Sequence, residues 1–477
     1  MASVASLPSP LPQDAMQSCT LSQAEFNSWF INQTPTENGL VLPANSVTFG
    51  HNNNCDFYKW SWQMFAWLVS PLDANQSVMS SPVFYTVSPE NEKKQRTLIP
   101  HVKGQALRAT SSITQVGPNG KPTIIDNNGN LVESEEGQAG GSHGLMSQAG
   151  SIVYYITMVN DVFAVYLSAA KSKQMSGLQF PTTAAQRDSI VAIATANGIT
   201  IPDPNALAIE IKTSWVEAST LSNPGNYFTI DAIVPTYNKT DSLWTPTGEQ
   251  TIKLALLGAH VVGSTSGHPE MVWATFEHLQ NAPFAAYDYL TNKNVVDTVQ
   301  AESQGSWTLS AAPNGPSSNI SHFKASGNTL IAENGFTISS SNTSQVFPWG
   351  SKMGVSPNAE DKSSAASNSE VISINNSVFG WLIGNDIRKN YLMIGATWTS
   401  GGVTPSGNSF SNNPTDPGPG AAIGTSLLAN TTMETYKQNG TTQCFTCHSG
   451  GNLLPGTLSH VYTDLQPLPN FKILPAK

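Results

Sequence analysis

Apolar residues fall along this chain in a few strongly patterned runs. Phe57, Trp60, Met64 and Trp67 keep the i, i+3, i+4 rhythm of a helix with one apolar side. The same period through Ile152, Tyr155, Ile156, Val159, Phe163, Tyr166 and Leu167 predicts a second helix, against the β-branched content of its first half. Thr183-Ala184-Ala185-Gln186 has the capping-box form of a helix start, and Gly198 is placed to end that helix. Period-two alternation takes over at Ile209, Ile211, Thr213 and Trp215, with Glu210, Lys212 and Ser214 on the other face. Ile252 to Val262, broken mainly by Lys253 and His260, and Met271 to Phe276 are nearly continuous apolar runs, as in central strands covered on both sides.

Residues 303–425 are rich in Ser, Asn, Gly and Pro. Their short runs, Val371 to Ile374 and Tyr391 to Ile394, predict β-structure with long loops. The stretch 117–141 reads as hairpins or a surface excursion, and Asn412 to Gly420 as a linker. The expected class is α+β, dominated by β-structure. An extended stretch 1–17 leads into a large body, 18–425, with room for a subdomain boundary near 300; a short helical segment, 426–477, docks onto it.

Composition narrows the function. Charged residues make up 11% of the 477, well under the usual quarter, and the net charge is −10, which argues against a nucleic-acid partner. No run approaches the roughly 20 apolar residues of a membrane-spanning helix. Residues 1–17 have neither a basic start nor an apolar core, so the numbering reads as that of a mature form.

The candidate chemistry lies near the end, in Cys444-Phe445-Thr446-Cys447-His448. Two thiols three residues apart on one helical turn can each add across a haem vinyl group, and the imidazole of the next residue then meets the iron. The other readings of the pair are a disulfide or half of a zinc site, for which His460 is the nearest further ligand. The haem reading predicts covalent attachment through Cys444 and Cys447, His448 as an axial ligand, and one haem c per chain. For the sixth position His460 is the candidate distal ligand; a His or Met of the body, or an open position, are the alternatives.

In this motif the chain resembles cytochromes c, and more narrowly exported bacterial proteins in which a large body precedes one terminal haem motif. The likeness rests on Leu428-Ala429-Asn430-Thr431-Thr432-Met433-Glu434-Thr435-Tyr436 leading into the cysteines, and on Gly267-His268-Pro269-Glu270 with Trp273-Ala274-Thr275-Phe276-Glu277-His278. The resemblance implies assembly outside the cytoplasm, in the periplasm or beyond the cell. Unlike small cytochromes c, no Met follows His448, so the short segment needs the body as the haem's second wall. In an oxidising compartment Cys19 and Cys55 are the natural disulfide partners; two reduced core thiols are the alternative.

His260, His268 and His278, with Glu277, Glu210 and Lys212, form a second candidate group, for catalysis, a second metal or a haem propionate. Mutual hydrogen bonding within a β-rich core is the plainer reading. Trp60, Trp62, Trp67, Trp215 and Trp273 are expected in the core or against the haem. Two functions follow as expectations. One is electron transfer with a redox partner protein; the other is a haem-dependent oxidoreductase of peroxidase or oxygenase type, its small-molecule substrate held by the body.

Overall fold

The structure is a computed structural model. It describes residues 11–473 apart from 74–75, 92, 109, 112–114, 117–121, 126–130, 134–138, 140–142, 312–320, 327–328, 351–360, 407–417, 426 and 439–442.

One large antiparallel sheet organises the chain, and the α+β, β-dominated class holds. Its principal strands are β1 (Phe84–Val87), β2 (Leu98–Pro100), β3 (Tyr154–Asn160), β4 (Ile209–Glu217), β5 (Thr229–Lys239), β6 (Leu243–Thr265), β7 (His268–His278), β8 (Tyr391–Thr399) and β9 (Ala422–Gly424). They run β9-β8-β7-β6-β4-β3-β1-β2 across the sheet. β6 is long enough to serve two neighbours on one edge: its first half pairs with β5 and its second half with β7, while β4 lies on the other edge.

The pleat separates two faces. Ile156, Met158, Ile211, Ala259, Val261, Val272, Ala274 and Phe276 point to one side, where they join helices α2 (Asn54–Leu68) and α5 (Lys362–Trp381) in the main core. Asn53 caps α2, accepting from Asp56 N–H while the Asp56 carboxylate accepts from Asn53 N–H. The Phe65 ring of α2 stacks on Phe276 at 4.2 Å. The Cys19–Cys55 disulfide is formed and ties the stretch before α1 (Gln23–Ser28) to the first turn of α2. Leu11 and Ala15 are buried, while Gln13, Asp14 and Gln17 are exposed.

Helix α1 (Gln23–Ser28) is a short capped turn. Helices α3 (Asp161–Lys171) and α4 (Ala184–Ala196) cover one end of the opposite face together with the C-terminal tail, around Val159, Val262, Leu458, Val461, Tyr462 and Leu465. The expected capping box at Thr183 and Gln186 is present, and Gly198 lies beyond the helix end at φ +73°.

Two expectations are corrected. The run 152–167 is not one helix: Tyr154–Asn160 is strand β3, and the helix begins only after Asn160, whose side chain accepts from Phe163 N–H. The β-branched and aromatic residues of the first half fill a central strand between β1 and β4, and that packing overrides the helical period. Val371 to Ile374 is not a strand but lies inside α5. The core-facing stripe of that helix carries Asn368, Ser369, Ser373 and Asn375, all buried. Their side chains bond the backbone at Asp288, Leu290, Cys19 and Met393. A stripe of buried polar residues hides a helix from a hydrophobicity pattern.

In the 117–141 stretch, Pro122–Ile125 pairs antiparallel with Leu131–Glu133, and the turn residues between lie outside the described residues. So does most of the expected linker at 412–420.

Candidate functional site

On the second face of the sheet, aligned residues of neighbouring strands form transverse rows. Thr157, Lys212, His260 and Thr275 make one row, and Tyr155, Ser214, Gly258 and Glu277 the next. Three members of the first row, Thr157, Lys212 and His260, are half-exposed although they sit in central strands. The row divides the apolar cluster of α3, α4 and the tail from another built on Leu145, Tyr155, Leu257 and Met433.

The stretch leading to the cysteines is fastened across these rows. Asn430 Nδ2 donates to Thr275 Oγ1 and Phe276 O, both at 3.1 Å. Tyr155 OH donates to Thr432 O at 2.8 Å, and the Thr432 and Ser214 hydroxyls meet at 2.6 Å. Gly258 permits this approach, since a Cβ there would lie 2.7 Å from Asn430 Nδ2. The buried Glu277 carboxylate accepts from Thr431 N–H at 2.8 Å and from Gln345 Nε2 at 3.1 Å, and binds the Thr431 hydroxyl and Asn281 Nδ2 with its other oxygen. Burial outweighs those donors and pushes Glu277 up to about 7.

Glu434 completes the fastening. Its Oε2 accepts from Asn430 N–H and its Oε1 from His260 Nε2–H, each at 2.8 Å. Burial would raise this carboxyl; the charge and hydrogen bond of His260, with the charge of Lys212, hold it below its ordinary value instead.

The motif follows on helix α6 (Cys444–Cys447), a single turn with Gln443 and Thr446 closing its N-terminus. Cys444 and Cys447 are both free thiols, not a disulfide, and Cys447 is exposed. Burial and the Glu434 charge push the Cys444 thiol up, keeping it protonated. His448 Nδ1–H donates to Leu458 O at 2.8 Å, at the end of helix α7 (Pro455–Leu458). The Trp273 ring lies 4.4 Å from the imidazole, and the His460 ring stacks on it at 3.9 Å and 14°. Burial and the stacked His460 push His448 down to about 3, so the imidazole is neutral.

These residues suit a covalently held haem. Addition to a vinyl group needs thiols on one helical turn, and both are present and unpaired. A metal-binding imidazole needs its other nitrogen fixed by a carbonyl or carboxylate, and the Leu458 bond leaves the Nε2 lone pair for iron. Among the described residues no cluster of three or more His, Cys, Asp or Glu is arranged to hold a metal ion by itself.

The second candidate group comes together only in part, with Glu277 in the row next to that of His260 and Lys212. His260, Lys212 and Glu210 share the face that carries the motif. His278 falls on the opposite side of the pleat from its neighbour Glu277 and is pushed down to about 3 by burial. Its ring stacks on Tyr227 at 3.7 Å, with Nε2 against Asn226 O and Nδ1 accepting from Gln280 N–H. His268 is buried elsewhere, bonded to Glu270 at 2.7 Å and packed on His51 and Phe57. Three histidines close in sequence thus serve three separate places. Glu434 is the partner that sequence reasoning passed over, although it is the sole carboxylate between Asp416 and Asp464.

A cleft of about 730 Å³ opens beside β5, lined among others by Tyr227, Phe228, Asp231, Lys253, Gln105 and Asp73. It shares no lining residue with the motif. No helix among the described residues is long and apolar enough to cross a membrane. No family model, curated protein or solved structure matches this chain.

Proposed function

We propose that this chain is a c-type cytochrome that works in an oxidising compartment, the periplasm or the cell exterior, and passes single electrons through one haem c. The observation that carries this reading is the pairing of two free thiols on one turn with His448, whose Nδ1–H is already committed to Leu458 O. Haem bound there would supply one-electron chemistry at a potential set by its ligands and burial. Cys444 and Cys447 would hold it by thioether bonds. His448 approaches with Nε2, and Trp273 backs the imidazole. The sheet would form the second wall, with Lys212 the cation that could meet a propionate. The Cys19–Cys55 bridge supports the compartment.

The cleft beside β5 shares no lining residue with the motif, so it lends no support to the other reading, a haem oxidoreductase with its substrate pocket at the haem. Expression with a periplasmic maturation system tests the reading by intact mass and the pyridine haemochrome spectrum. A chain one haem heavier, with the spectrum of a doubly thioether-linked haem, is expected. Colourless protein of unshifted mass refutes it.

A further inference from the structure

Resting on that haem reading, we propose that the second axial ligand comes from the body, through His260, and not from the tail through His460. Imidazoles on opposite sides of a porphyrin point nitrogen to nitrogen along one axis, each with a metal–nitrogen bond of about 2 Å. The His460 ring instead lies face to face with His448, 3.9 Å away and nearly parallel. It sits beside the axis through Nε2, where no porphyrin fits between the rings. Its own Nε2 approaches Cys447 O at 3.3 Å, within the motif. His460 is therefore a packing residue on the motif's own side of the haem.

His260 has the features of a ligand. It belongs to the half-exposed polar row over which the motif folds, between Ala259 and Val261, which are fully buried on the opposite face. Its Nε2–H is held by Glu434 at 2.8 Å, so in the neutral ring the lone pair lies on Nδ1; a metal-binding histidine is tuned in the same way by a carboxylate on its other nitrogen. The carboxylate is itself fixed by Asn430 N–H. His448 is arranged in parallel, with its Nδ1–H on Leu458 O and Nε2 left over. His448 rests against Trp273, and Trp273 pairs with Val262, two residues from His260 on the same face of the sheet, so the two imidazoles are near neighbours. His278 has both ring nitrogens engaged, and His268 is paired with Glu270 beside the aromatic rings of α2.

The test uses the haem-loaded chain. A chain that takes up no haem overturns the haem reading and this inference together. Given haem c, the ferric and ferrous optical spectra and electron paramagnetic resonance should show a low-spin, bis-imidazole iron inert to carbon monoxide. His260→Ala should lose the low-spin signature and bind carbon monoxide, and added imidazole should restore the original spectrum. His460→Ala should stay low-spin and inert. The reverse pattern overturns the inference while leaving the haem reading intact. So does a wild-type chain that binds carbon monoxide at once, or one with a sulfur-to-iron charge-transfer band. If His260→Ala fails to mature, Glu434→Gln keeps the ligand ring but weakens its acceptor. The iron should then remain low-spin with a raised reduction potential, and an unchanged potential overturns the inference.

Discussion

Glu277 offers the sharpest test of how the C-terminal stretch is fastened. Its carboxyl is 2% exposed and receives Thr431, Gln345 and Asn281, yet burial carries it from an ordinary 4.5 to about 7. A shift of that size corresponds to about 3 kcal/mol between the two protonation states. Folding favours the protonated form, so this contribution to stability is fully present below pH 4.5, declines as pH rises, and is lost above pH 7. The Thr431 hydroxyl, which touches the second carboxyl oxygen, can accept from the neutral acid as well as donate to the carboxylate. Glu277→Gln keeps an oxygen for Thr431 N–H and Gln345 Nε2 and sets its NH₂ group against the Thr431 hydroxyl without ever ionising. Urea unfolding followed by tryptophan fluorescence at pH 5, 6.5 and 8 should find the variant level with wild type at pH 5. At pH 8 it should be more stable by up to about 3 kcal/mol. Taking the difference between the chains cancels other groups that titrate in this range, such as Glu370, which burial also pushes up to about 7. A difference that is constant with pH, or a variant weaker at pH 8, refutes the reasoning.

Removing the disulfide with Cys19→Ser and Cys55→Ser opens a loop spanning a separation of 36 residues. Loop entropy sets the loss at about 4 kcal/mol, read as a lower urea midpoint under non-reducing conditions. Phe65→Ala leaves a cavity under Phe276 and Trp62 and should cost about 3–5 kcal/mol by the same assay, with no change in attached haem per folded chain. Asp386→Ala strands the fully buried Arg388 guanidinium that Asp386 now pairs, and should cost about 3–5 kcal/mol. Cys444→Ser with Cys447→Ser should fold with wild-type far-ultraviolet circular dichroism and carry no covalent haem by mass; retention of haem through denaturing electrophoresis would contradict the thioether assignment.

Much of the frame was legible in the residues. The aromatic helix α2, the capping box of α4, and strands β4, β6 and β7 follow from local periodicity and capping, which short-range geometry expresses directly. The Cys19–Cys55 pairing followed from counting cysteines, and the spacing of Cys444, Cys447 and His448 is what suggests the haem chemistry we propose. Where pattern and structure parted, long-range packing had the larger effect: β3 is a strand because its neighbours β1 and β4 hold it, and α5 is a helix although its inner stripe is Asn and Ser.

Tertiary structure alone decided the partners. His260, His268 and His278 are indistinguishable as a sequence cluster; strand register and the pleat send them to three environments, because one residue's shift along a strand turns a side chain to the other face. Only the fold brings Glu434 to His260 across 174 residues and seats Trp273 on His448. Residue types and their spacing declared what chemistry the chain can perform, since reactivity belongs to the side chain. Which groups meet was set by the closing of a large antiparallel sheet, whose pairings no local pattern encodes.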